Sequence, residues 1–85
     1  MTEKQTNQIA TWNNVLMNAG IDSVVHVFQD DQIAYSGRLE GCSSLCDEKA
    51  MLWISGYKIP LLSIFKIEYV FEPNWNCNHI MIILK

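Results

Sequence analysis

The chain has 85 residues, 49% of them apolar and 18% charged, with six Lys and Arg against nine Asp and Glu for a net charge of −3. That length makes one domain, residues 1–85, and the composition excludes a disordered chain. The acidic balance argues against a general nucleic-acid binder, which carries a basic face to match phosphates.

The first segment, Thr2 to Ala19, reads as a helix. Thr2 and Gln5 fit a capping box, and Ile9, Trp12, Leu16 and Ala19 make one apolar stripe. Asn13, Asn14 and Asn18 lower its intrinsic propensity, so packing must hold it. Gly20 is expected as a left-handed C′ residue, with Ile21 at the apolar contact of a Schellman motif.

From Ile21 the pattern changes to strands, and residues 21–85 are expected to form a small β-barrel. Ser23 to Gln29 is apolar on both faces, as a covered strand is. Asp30-Asp31 is a turn. In Gln32 to Glu40, Ile33, Tyr35 and Leu39 alternate with Ala34, Ser36, Arg38 and Glu40. Gly37 breaks that alternation, which marks a bend or a close backbone approach. A loop is expected from Gly41 to Lys49, a third strand from Ala50 to Ser55, a tight turn at Gly56 and a short strand from Tyr57 to Ile59. Pro60 to Ile64 reads as one helical or 3₁₀ turn. Phe65, Ile67, Tyr69 and Phe71 then alternate with Lys66, Glu68 and Glu72. After a loop from Pro73 to Asn76, Asn78 to Leu84 reads as a last strand, apolar on nearly every residue.

No apolar run approaches the ~20 residues of a membrane span. The polar N-terminal stretch lacks the apolar core of an export signal, and three cysteines, an odd count, suit a reducing compartment. A cytoplasmic location with no membrane partner is the expectation. Cys42, Cys46, Cys77 and His79 could supply four soft ligands for structural zinc. Their spacing departs from the usual knuckle, so buried free thiols are the simpler expectation, with no metal and no cofactor. His26, in an apolar strand, reads as an interior or interface histidine rather than a catalytic base. Asp30, Asp31 and Glu48 read as solvated turn residues. With no phosphate loop and no catalytic constellation in the sequence, the expectation is a protein that is not an enzyme.

Tyr35-Ser36-Gly37-Arg38-Leu39 is similar to the first motif of Sm-like proteins, and Ile54-Ser55-Gly56-Tyr57-Lys58-Ile59 to the second. Ile59-Pro60-Leu61 through Ile64 and Ile67-Glu68 also look like the closing segment of YolD-like small barrels. The chain thus resembles the SH3-type barrel in its Sm-like form over about Ile21 to Phe71. The fold class this implies is mainly β: one N-terminal helix, a five-stranded barrel and an added C-terminal strand. The family's RNA-contacting pattern is absent. Leu39 is followed by Glu40-Gly41-Cys42-Ser43-Ser44, without the expected Asp and Asn, and Ser55 stands where the second motif has Arg.

A domain this small buries only about 60–65% of its unfolded surface, so the apolar excess must cover something. The expected function is a non-enzymatic interaction module that oligomerises and binds a protein or small ligand, with an Sm-like RNA binder as the alternative. Its general character suggests a phage or mobile-element protein that inhibits a host defence system. Trp53 is expected as a core ring, and Trp75, Tyr57, Met81 and Ile83 as partner-binding residues. Ile80, Ile82 and Leu84 share one face of the last strand, and Met81 and Ile83 the other. Read as an unpaired apolar edge, that strand is expected to join two copies in a homodimer.

Overall fold

In a computed structural model, the backbone is described for residues 1–43, 47–72 and 77–85, and side chains for the same residues except 70–72 and 77. The chain forms a helix α1 (Glu3–Ala19), strands β1 (Val24–Gln29), β2 (Gln32–Cys42), β3 (Met51–Ile54) and β4 (Tyr57–Pro60), a 3₁₀ turn (Leu61–Ser63), and strands β5 (Ile64–Glu72) and β6 (Cys77–Leu84). The fold is mainly β with one N-terminal helix. The expected loops at Pro73 to Asn76 and around Ser44 to Cys46 lie outside the described residues.

The capping box forms. Thr2 Oγ1 accepts from the Gln5 N–H at 3.1 Å, and Gln5 Oε1 accepts from the Thr2 N–H at 2.9 Å. Ile9, Leu16 and Ala19 are buried against the sheet, and Asn13 with them. Polar contacts fasten the helix along its length. Gln8 Nε2 donates to the Ile64 carbonyl at 3.0 Å, and Asn78 Nδ2 donates to the Ala19 carbonyl at 2.9 Å. The Ser23 hydroxyl lies 2.8 Å from the carbonyls of both Ala19 and Gly20. The end of the helix differs from the expected Schellman motif. Gly20 has φ 89° and ψ 162°, an extended glycine-only conformation, and Ile21 is 64% exposed. The Gly20 N–H donates to the Leu16 carbonyl at 3.1 Å, and Ser23 takes the carbonyls of Ala19 and Gly20 beyond it.

The six strands form one sheet in the order β4-β3-β2-β1-β6-β5. Two hairpins are closed by two-residue turns with positive φ at both positions, the type I′ pattern that matches strand twist. Asp30 (φ 55°) and Asp31 (φ 64°) join β1 to β2, and Ser55 (φ 44°) and Gly56 (φ 91°) join β3 to β4. In β2 the register shifts opposite Val27 and Phe28, so that Tyr35 pairs with Val27 but Ile33 pairs with Phe28. The shift turns Ile33 away from the face of Tyr35 and Leu39 and leaves it 59% exposed. Strand β2 also continues through Gly41 and Cys42, where a loop was expected, because both residues pair with β3.

The sheet is not closed. Strand β6 lies between β1 and β5, parallel to the first and antiparallel to the second, and β4 and β5 are the two edges. A closed five-strand ladder is therefore not what the pairing gives. The expected role of β6 as an unpaired edge is overturned as well, since both its sides are occupied. Its apolar character on both faces is that of a central strand. Val25, Val27, Ile80 and Ile82 are fully buried under the helix, each contributing about 1.5–3 kcal/mol by burial. Leu39, Ala50, Leu52, Ile54, Ile59, Leu61 and Ile64 complete the core. Trp53 is not in it. It lies between the buried Leu52 and Ile54, hence on the opposite face, and is 37% exposed.

Candidate functional site

Helix α1 occupies one face of the sheet, and alternation sends the intervening residues to the other. On that outer face β1 presents Val24, His26 and Phe28, and β6 presents His79, Met81 and Ile83, all half-buried. The parallel register aligns Val24 with His79, His26 with Met81 and Phe28 with Ile83. Lys66 and Glu68 on β5 continue the same rows beside Ile83 and Met81, and Ser36 on β2 continues the row of His26. The centre of the face is thus apolar and carries imidazoles, while its flanks are polar. A shallow depression of about 280 Å³ opens between Phe28, Asp31, Met81 and Ile83.

The two histidines are neighbours across the parallel pair. Their rings stack with centroids 5.7 Å apart and planes 22° from parallel. His26 Nδ1 lies 2.8 Å from the Ser36 hydroxyl, which fixes the ring from the β2 side. Sequence reading placed His26 in an interior or interface; the structure puts it on this face, half-covered and held by two neighbours.

A second feature lies where the β3–β4 turn meets β2. A Cβ built on Gly37 would stand 2.5 Å from Ser55 Oγ, 2.7 Å from Ser55 Cβ and 3.0 Å from Ile54 Cγ2. Gly37 is therefore glycine for want of space. The approach lets Ser55 Oγ accept from the Arg38 N–H at 2.9 Å, and the Ser55 N–H reaches the Arg38 carbonyl at 3.2 Å. Glu40 Oε1 accepts from the Gly56 N–H at 2.6 Å. With the turn so anchored, Tyr57 stacks on Tyr35 at 4.3 Å, 19° from parallel. Burial pushes the Tyr35 phenol above its ordinary pKa, and the neighbouring Tyr57 adds to the rise.

The third feature is an apolar cleft of about 370 Å³ between the end of α1 and β2, walled by Leu16, Met17, Ile21, Leu39 and Cys42. Burial raises the Cys42 thiol above its ordinary pKa.

The residues singled out in the sequence fall in different places. Met81 and Ile83 are together on the outer face. Tyr57 is in the aromatic pair at the β4 edge. Trp75 lies outside the described residues. Of the four soft ligands, Cys42 packs against the core, His79 stacks on His26 on the outer face, Cys46 lies outside the described residues, and Cys77 is described by its backbone only. Among the described residues no three of His, Cys, Asp and Glu gather as a metal site. Sequence reading missed two contacts, His26 with His79 and Tyr35 with Tyr57, because both depend on strand neighbours rather than on spacing. Among the described residues, no helix is long and apolar enough to cross a membrane.

No protein-family model matches the chain, and no curated protein or solved structure matches it.

Proposed function

We propose that the chain is a non-enzymatic interaction module, which associates with itself and uses the outer face of its sheet to hold a protein or an apolar small ligand. The observation that supports this reading is the uncovered face. The single helix among the described residues is spent on the inner side. Val24, Phe28, Met81 and Ile83 remain half-buried on the outer side, and the last three line a depression closed at one side by Asp31. A contiguous apolar patch rimmed by polar residues is the usual mark of an interaction surface. The Gly37 approach to the β3–β4 turn is the feature that supports a likeness to small Sm-like barrels, from which β6, seated between β1 and β5, departs. An RNA-binding role would need a cationic surface; among the described residues Arg38, Lys58 and Lys66 lie on the outer side of different strands, β2, β4 and β5.

The test joins two measurements on the purified protein. Sedimentation is expected to show an assembly larger than one chain at tens of micromolar. An apolar fluorescent probe, anilinonaphthalene sulfonate, is expected to bind the folded protein and to lose most of its signal in Met81→Lys with Ile83→Lys. A monomer that binds no probe overturns the reading. Binding of oligouridine that weakens steeply with salt would replace it with the RNA alternative.

A further inference from the structure

The edge of the sheet says more about self-association than its face does. The sheet ends in β4 on one side and β5 on the other. Strand β4 is blunted: it has four residues, carries Lys58, and ends in Pro60, which has no N–H to offer a ladder. Strand β5 has nine residues and no proline; Lys66 and Glu68 share the solvent face, Glu72 closes the strand, and a register irregularity lies between Ile64 and Lys66. From Lys66 onward it is a long regular edge, guarded by the charges of Lys66 and Glu68 rather than by proline.

The sequence of that edge reads as its own complement. We infer that β5 pairs antiparallel with β5 of a second copy about a two-fold axis at Ile67, joining two sheets into one; the inference rests on the self-association proposed above. In that register Lys66 stands opposite the partner's Glu68, and Glu68 opposite the partner's Lys66. Ile67 stands opposite the partner's Ile67. Within one chain Lys66 Nζ already lies 2.8 Å from Glu68 Oε1. Both side chains are exposed, so that pair alone contributes little. Across the two-fold axis the two pairs close into a ring of four charges of alternating sign.

The flanks agree with the centre. Phe65 is 64% exposed and Tyr69 is 48% exposed, large rings left in solvent on either side of Ile67. The two-fold axis brings Tyr69 of one copy to the end of the partner's strand that carries Phe65, where aromatic contacts stabilise sheets, although the irregularity between Ile64 and Lys66 takes Phe65 out of the regular ladder. Neighbouring registers fail. An axis at Lys66 or at Glu68 sets a charge directly against its own copy. An axis between residues turns the buried face of one copy toward the solvent face of the other. The closed two-fold arrangement also uses up the edge, so it does not propagate.

The test uses charge reversal in the full chain. Lys66→Glu alone and Glu68→Lys alone each set like charges opposite across the axis. Each variant should keep the wild-type circular dichroism spectrum and dimerise about tenfold or more weakly by sedimentation velocity. An equimolar mixture of the two restores opposite charges at both positions, and a one-to-one heterodimer is expected in the native mass spectrum. A wild-type assembly that survives both reversals overturns this inference and leaves self-association standing. A wild-type protein monomeric at tens of micromolar overturns both. A larger wild-type assembly broken by Glu68→Lys but not by Lys66→Glu would assign β5 to pairing with Lys58 on β4 of the next copy, and the two-fold edge would be wrong.

Discussion

Replacing Gly37 with alanine adds one methyl group where the Ser55 side chain crowds the β2 backbone. The new Cβ would stand 2.5 Å from Ser55 Oγ and 2.7 Å from Ser55 Cβ, both well inside contact distance. Neither atom is the free end of a flexible chain. Ser55 sits at φ 44° in a two-residue turn, and its hydroxyl is tied to the Arg38 N–H. Making room therefore means moving the turn. Overpacking of this kind costs about 1–3 kcal/mol, and a lost backbone-to-hydroxyl hydrogen bond adds about 0.5–1.5 kcal/mol. A total near 2–4 kcal/mol should lower the thermal midpoint of a domain this size by roughly 10–25 °C. Differential scanning calorimetry reads this directly. The double variant Gly37→Ala with Ser55→Gly removes both clashing atoms and places glycine where φ is positive, so it should recover about half of the loss or more. An unchanged midpoint in Gly37→Ala, or a double variant no better than the single, would refute the steric account.

Two further outcomes follow from local geometry. Asp31→Gly puts the residue preferred at the second position of a type I′ turn where φ is already 64°, and should raise the urea midpoint by the equivalent of about 0.5–1 kcal/mol. Tyr35 ionises less readily folded than unfolded, owing first to burial and then to Tyr57. Its contribution is therefore complete below the ordinary tyrosine pKa near 10 and is lost as pH rises through and above it. Urea midpoints measured across that range should fall with pH, and fall less in Tyr35→Phe.

Each element was legible in the sequence because each rests on a local signal. The capping box sets the start of α1, the 3.6-residue stripe its buried face, and period-two alternation the strands. What alternation does not carry is the identity of a strand's neighbours. Strand β6, last in the order of strands, reads as an edge by position, whereas its apolar residues on both faces, read for burial, point to the middle of a sheet. Ile33 was assigned to the face of Tyr35 because a register shift leaves no mark in the spacing. The candidate surface was half legible. Met81 and Ile83 were set apart from Ile80 and Ile82 by parity alone, whereas the imidazole stack beside them needs Val24 aligned with His79, a pairing between distant segments. Gly37 was recognisable as a constrained position. The nature of the constraint, crowding by Ser55, required the turn to be in place.

The insertion of β6 between β1 and β5 also bears on how the chain reaches its fold. Val24 pairs with His79 and Phe28 with Ile83, partners separated by most of the polypeptide, in a parallel register that no hairpin can start. On the ribosome, β1 to β5 emerge before the strand that joins them. Until β6 arrives, β1 and β5 each expose a pairing edge, and Val25 and Val27 lack the Ile80 and Ile82 that flank them in the finished core. High contact order of this kind slows folding. The half-made sheet is open at its centre during that interval, and so most vulnerable to pairing with another chain before β6 seats.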